Sequence, residues 1–323
     1  MAAKFVGRFP VYDARDMPVG GFADFLRDDA AHVLRDRGAL LIRNTPIVGT
    51  ADLERYACLL IKEPARAYTG GVIPRTSQSQ YVFNSTEVPR LHKLKLHNEI
   101  AYQNNYPRYI SFFCATPPSI LGETPVAHHE DFQQQLPGSL RDAIMTDDVV
   151  YIRRYLCRER SAAKLARFKT MFVSWQDAFG TDDPAGVEAH CRELGAAFSW
   201  GPDDTLTVRT VMPASRVHPD TGQRVYFNQL LTQNFSAAGQ GPVEVLAYRL
   251  AGARRGSTPK DSCLAGYGAL TRRDRSALVA ACAKSARTFR WRKHDWLLLD
   301  NLQVLHGRNR FVGKRAIWVV MGD

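Results

Sequence analysis

The sequence predicts a mainly β fold with helices set into it, organised as one domain over residues 1–323. Three observations carry this reading. After residue 80, short apolar runs recur between Pro and Gly signals, as in a β-sandwich or barrel. Helical periodicity is confined to a few stretches, two of them in an N-terminal α/β part. No internal repeat, low-complexity tract or Pro/Gly/Ser-rich seam divides the chain.

Taken in order, Gly21 to Arg37 carries Phe22, Phe25, Leu26, Ala30, Val33 and Leu34 at helical spacing, and Gly38 ends it. Ala39-Leu40-Leu41-Ile42 is a short apolar strand, and Ala51 to Ile61 a second helix. Strands are expected over Tyr109 to Cys114, Thr124 to Ala127, Val149 to Tyr155, Thr205 to Val211, Val225 to Leu230, Trp296 to Leu299 and Ile317 to Met321. Asp182 to Leu194 is a helix opened by Asp182-Asp183-Pro184. Thr271 to Arg287 is another, with Asp274 completing a capping-box variant.

Composition excludes several classes. Hydrophobic residues make up 45% and charged residues 23%, so the chain is neither disordered nor collagen-like. No apolar stretch approaches the roughly 18 residues of a membrane span. The basic N-terminus lacks the apolar region of a secretory signal, and the expected compartment is the cytoplasm. Six cysteines without metal or redox spacing are expected as reduced thiols. The net charge of +11 favours an acidic partner. It is dispersed rather than arranged as a stripe, which argues against nucleic acid.

The chemistry is sought among nine histidines. In Leu96-His97-Asn98-Glu99-Ile100 a histidine and a carboxylate are two apart, which in a strand places both on one face. Val304-Leu305-His306-Gly307-Arg308 follows an apolar strand. Two imidazoles and one carboxylate on one face of an octahedral ion form the facial triad of non-haem iron(II) oxygenases. A second His-x-Glu, His128-His129-Glu130, is expected as a solvated polar corner, and His32, His218 and His294 as structural. Arg315 offers a planar fork for a carboxylate, and Thr124 a hydroxyl beside it.

These motifs in combination resemble the TauD/TfdA superfamily of Fe(II)- and 2-oxoglutarate-dependent dioxygenases, and within it the SyrP-like branch. The matching stretches are Leu96 to Tyr102, Tyr106 to Cys114, Gly122 to Ala127, Ser174-Trp175-Gln176, Phe179 to Asp182, His218 to Gly222, Val225 to Gln229, and Leu299-Asp300-Asn301 through His306 to Arg315. The resemblance implies a distorted jelly-roll core, that is, a double-stranded β-helix with helical insertions. It implies His97, Glu99 and His306 as ligands of Fe(II), Thr124 and Arg315 as binders of 2-oxoglutarate, and O2 as the oxidant. A carboxylate at Glu99 argues against a halogenase, where this position is small. Leu121 and His128 depart from the usual pattern. The position four residues after Arg315, often a second arginine that holds the substrate anion, is Val319.

The expected substrate is an amino acid or amino-acid-derived intermediate of natural-product biosynthesis, either free or tethered to an acidic peptidyl carrier protein. Hydroxylation is the expected outcome. Desaturation or cyclisation of a free small molecule, a nucleic-acid-directed dioxygenase and a non-catalytic cupin-like binding protein are the alternatives. Asn84, Arg108, Asn228 and Gln229 are the candidate substrate contacts, and Arg154 to Met171 the candidate lid.

Overall fold

The computed structural model describes residues 4–6, 8–18, 20–65, 76–85, 88–168, 172–250 and 258–323. The strands are, in order, β1 (Lys4–Val6), β2 (Phe9–Asp13), β3 (Ala39–Arg43), β4 (Phe83–Asn84), β5 (Leu94–His97) and β6 (Tyr109–Thr116). They continue with β7 (Ile120–Leu121), β8 (Val126–His128), β9 (Asp148–Tyr155), β10 (Ala197–Trp200), β11 (Leu206–Pro213) and β12 (Ser215–Val217). The last are β13 (Arg224–Tyr226), β14 (Lys260–Leu264), β15 (Trp296–Asp300), β16 (Val304–Arg308), β17 (Phe311–Val312) and β18 (Ala316–Gly322).

Seven strands form one sheet in the order β1-β2-β3-β15-β6-β18-β4, antiparallel except where β2 runs parallel to β3. Its central strands carry long apolar runs, such as Trp296–Leu299, because both faces are covered. Leu40, Ile42, Phe113, Trp296 and Leu298 face a cluster made with the N-terminal helices through Phe22, Leu26, Leu34 and Leu53. The alternate residues Leu41, Phe112, Leu297, Leu299 and Val319 face the main core. The opposing strands lie in smaller sheets, β10-β11-β9-β14 and β5-β16-β8, with the pairs β12-β13 and β17-β7. The coarse expectation of sheets with inserted helices is therefore met.

The local signals act as expected at the helix ends. Phe22–Arg37 is helical, with a π turn over Leu26–Ala30, and Gly38 closes it with its N–H on the Leu34 carbonyl. Asp183 caps Pro184–Glu193, accepting from the backbone of Ala185 and Gly186. Thr271 and Asp274 form a reciprocal capping box on Arg272–Ser285. The second N-terminal helix is shorter than expected, Thr50–Ala57.

Two strand readings need correction. The run Val225 to Leu230 leaves the ladder after Tyr226, because the Asn228 side chain takes over the backbone pairing. Its Oδ1 accepts from Leu230 N at 3.0 Å and its Nδ2 donates to the Ala214 carbonyl at 2.7 Å. The strand that carries His97 stops there, and Glu99 lies in a turn. Of the candidate lid, residues 162–167 are helical and 169–171 lie outside the described residues. Cys114, Cys157, Cys191 and Cys282 are buried, whereas Cys58 is exposed. No helix among the described residues is long and apolar enough to cross a membrane.

His128-His129-Glu130 is not a solvated corner. His128 and His129 are each 2% exposed. Pairing of β8 with β16 carries His128 into the interior, and the helix His129–Gln133 starts at once. Burial pushes their imidazoles down to about 3 and about 4. An unfolded histidine takes its proton near pH 6.5, so below that the unfolded chain binds more protons and stability falls as pH drops. The unfolding midpoint should therefore decline from pH 6.5 toward pH 4. Replacing His129 with Gln should flatten that decline, and an unchanged slope would refute this source of acid sensitivity.

Candidate iron and cosubstrate site

His97 ends β5 and His306 sits in β16, and the two are direct partners in the antiparallel ladder. Partners across a ladder project to the same side, and the two ring centroids lie 4.6 Å apart. The approach is close because residue 307 is glycine. A Cβ there would stand 2.7 Å from the Leu94 carbonyl oxygen, pushing β5 and His97 away. His97 Nδ1 lies 2.9 Å from the Lys95 carbonyl. A carbonyl only accepts, so Nδ1 carries the proton and Nε2 keeps its lone pair for a metal.

Glu99 arrives by a different route from the one its spacing suggests. The chain turns at Asn98, and Ile100 adopts φ 53°, a conformation costly for a β-branched residue. The turn is clamped by Asn301, which is fully buried. Asn301 Oδ1 accepts from Glu99 N at 2.8 Å, and its Nδ2 donates to the Glu99 carbonyl at 3.0 Å and to the Pro107 carbonyl at 2.9 Å. Asn98 Nδ2 donates to the Asn301 carbonyl at 2.7 Å. The result places Glu99 Oε2 3.3 Å from His306 Nε2. One donor atom from each of His97, Glu99 and His306 falls within 4.8 Å of the others. Among the described residues this is the one group of three such side chains gathered to that distance. Two imidazoles and a carboxylate, with Glu99 and His306 buried, suit a divalent iron that keeps open positions.

A small cavity runs from His97 and His306 to Arg315, lined also by Ser85, Phe112, Thr124 and Arg308. Arg315 donates through Nε to the Gly122 carbonyl at 3.2 Å, through Nη1 to Ser85 Oγ at 3.2 Å and through Nη2 toward Thr124 Oγ1 at 3.5 Å. Trp291 Nε1 donates to the same threonine oxygen at 3.2 Å. Burial, aided by the charge of Arg308, pushes the Arg315 guanidinium down to about 10, where it is still a cation at neutral pH. It forms no ion pair with a carboxylate among the described residues, so its charge is available to an acidic ligand in the cavity. Gly122 is required beside it. Its φ of +77° favours glycine, and a Cβ would stand 2.7 Å from Pro118 Cγ. Leu121 before it is also left-handed, at φ 59°, and solvent-exposed.

The four candidate substrate residues are dispersed. Asn84 lies in β4 opposite Trp318, and its neighbour Ser85 is the residue that touches Arg315. Arg108 pairs with Asp300 at 3.0 Å and Asp220 at 2.7 Å, and meets His218 Nε2 at 3.1 Å. His218, fully buried, also reaches Asp300 at 3.0 Å, in keeping with a structural role. Asn228 N donates to Asn98 Oδ1 at 3.3 Å, and Gln229 Nε2 to the Asn98 carbonyl at 2.9 Å. Both thus hold the residue between the two candidate ligands.

Sequence reasoning missed Asn301, Ser85 and Gly307 as working residues. Asn301 did stand in a quoted motif, but its partners lie about two hundred positions away. Replacing Asn301 with alanine should weaken Fe(II) affinity by about 10- to 100-fold, as loss of supporting contacts around metal ligands does. A direct Fe(II) titration checks this, and unchanged affinity would show that the Glu99 turn holds itself.

Comparison with known proteins places the chain in a family. Residues 11–321 match the family described as "Taurine catabolism dioxygenase TauD, TfdA family". The dapdiamide synthesis protein DdaC of Enterobacter agglomerans is 27% identical over 292 residues, 90% of this chain and 84% of that protein. A clavaminate synthase-like protein of Arabidopsis thaliana is 26% identical over 301 residues, 88% of this chain and 81% of that protein. The crystal structure of PvcB from Pseudomonas aeruginosa shares the fold, with TM-score 0.51 and 16% identity over 97% of this chain and 85% of that one. The chain belongs to the TauD/TfdA family of Fe(II)- and 2-oxoglutarate-dependent oxygenases.

Proposed function

We propose that this enzyme oxidises an unactivated C–H bond of an amino acid or amino-acid-derived intermediate in natural-product biosynthesis, with hydroxylation as the outcome. The observation that carries the reading is the gathering of His97, Glu99 and His306, two of which line a cavity that Arg315 also lines. His97, Glu99 and His306 would hold iron through two nitrogens and one carboxylate oxygen. Thr124, Ser85 and Arg315 would hold the far carboxylate of 2-oxoglutarate by a hydroxyl pair and a planar fork. Iron with 2-oxoglutarate and O2 supplies, when bound, an oxidant able to break an unactivated C–H bond. The protein's share is to orient these groups, to exclude water with the apolar wall that includes Phe112, and to fix the His97 ring through Nδ1–H donation to the Lys95 carbonyl. The facing sheets would then be the two halves of a distorted jelly roll with the site between them, in one cytoplasmic domain.

Similarity to DdaC, a dapdiamide synthesis protein, supports an amino-acid-derived substrate. The net charge of +11 suits docking of an acidic peptidyl carrier protein. The test is oxygen-dependent succinate formation from 2-oxoglutarate with a panel of amino acids and acylated derivatives, free and loaded on a carrier protein. Stimulation by a carrier-bound member that weakens with added salt is the expected result. Stimulation only by free compounds, unaffected by salt, would remove the carrier. No stimulation by any member would remove the substrate class.

A further inference from the structure

On the face of β9 that packs into the interior, Val149, Tyr151, Arg153 and Tyr155 alternate. One end of this face joins the main core through Val149, Tyr151, Met212 and Leu264. The other joins a second cluster around Trp175 and Leu206. Between them stand two cations. Arg153 and Lys260 are direct partners across β9 and β14, so their side chains share the face.

Like charges directly opposed destabilise a sheet pair, and these stand between two apolar clusters. Neither forms an ion pair with a carboxylate among the described residues. The adjacent Asp261 alternates to the other face and accepts from Asn234 Nδ2 at 2.9 Å. Arg153 lays its guanidinium on the Tyr102 ring, with Cζ 4.1 Å from the centroid. Its Nη2 is buried without a hydrogen-bond partner. Burial, with the charge of Arg153, pushes the Lys260 ammonium down to about 7. Arg153 and Lys260 are half-buried, and an anion placed between two like charges on one face would relieve their repulsion. Tyr102 lies three residues past Glu99, so the Arg153 guanidinium stands against the segment that follows the turn carrying a candidate iron ligand.

We propose that Arg153 and Lys260 bind a carboxylate of the substrate, held against Tyr102 while another part of the molecule reaches the iron. This deepens the proposed function and rests on it for the word substrate. The anion site itself is tested independently. The probes are N-acetylglycine and its uncharged amide, titrated at constant ionic strength with 2-oxoglutarate saturating, and the readout is the thermal unfolding midpoint. N-acetylglycine should raise the midpoint of the wild-type protein and the amide should not. In R153Q and K260M the stabilising concentration should rise about tenfold or more, whereas K260R should respond like wild type. K260M without probe should melt above wild type, because one of two opposed charges is gone. No response in the wild type, an equal response to the amide, or an unchanged response in both R153Q and K260M overturns the proposal. The visible band formed anaerobically by Fe(II) and 2-oxoglutarate is recorded alongside and should persist in both variants. Its absence from the wild type would refute the iron reading while leaving the probe titration to decide the anion site.

Discussion

Replacing His306 with alanine is expected to abolish Fe(II)-dependent formation of succinate, with the protein still folded. His306 is the hinge of the site. It pairs with His97 in the ladder, lies 3.3 Å from Glu99 and borders the cavity that leads to Arg315. Loss of one of three protein ligands leaves a donor set too small to keep iron in a facial arrangement. The anaerobic visible band that requires both Fe(II) and 2-oxoglutarate should vanish in this variant, and likewise in His97→Ala. Retained turnover in either variant would end the assignment of the triad. Far-ultraviolet circular dichroism distinguishes loss of metal from loss of fold, since backbone pairing of β16 with β8 does not depend on the imidazole.

Replacing Arg315 with glutamine should raise the half-saturating 2-oxoglutarate concentration by about 100-fold, the scale of removing one partner from a buried charge-assisted contact. Fe(II) affinity without cosubstrate should be unchanged, because Arg315 is not one of the three side chains whose donor atoms gather. Arg315→Lys should recover only part of the affinity. A lysine restores charge but not the planar fork that now spans Ser85, Gly122 and Thr124. Equal affinity for 2-oxoglutarate in wild type and Arg315→Gln would move the cosubstrate elsewhere. Over the neutral range the arginine stays charged, so its contribution should not vary between pH 6 and 8, a window well below its pKa of about 10.

The central strands were legible because they are buried on both faces, which leaves a continuous apolar run such as Trp296 to Leu299. Helix caps were legible because a cap is made within four residues, as at Asp183 and Thr271. His97 and Glu99 were singled out on a geometry the chain does not adopt. Their spacing of two suggested a strand, whereas a turn with left-handed Ile100 delivers the carboxylate. The polar strand end at His128 read as exposed because three polar residues in a row carry no sign of which side the sheet will cover.

Short-range pattern was enough to mark the candidate residue types and the strands that carry most of them. Both follow from side-chain type and short-range pattern, which do not depend on the rest of the chain. Which histidines meet which carboxylate follows from the packed fold. It turned Glu99 toward His306 through Asn301, buried His128 and His129, and set Arg153 opposite Lys260. Each of these rests on contacts between residues far apart in the chain, and the ladder register that makes them is a property of the packed sheets.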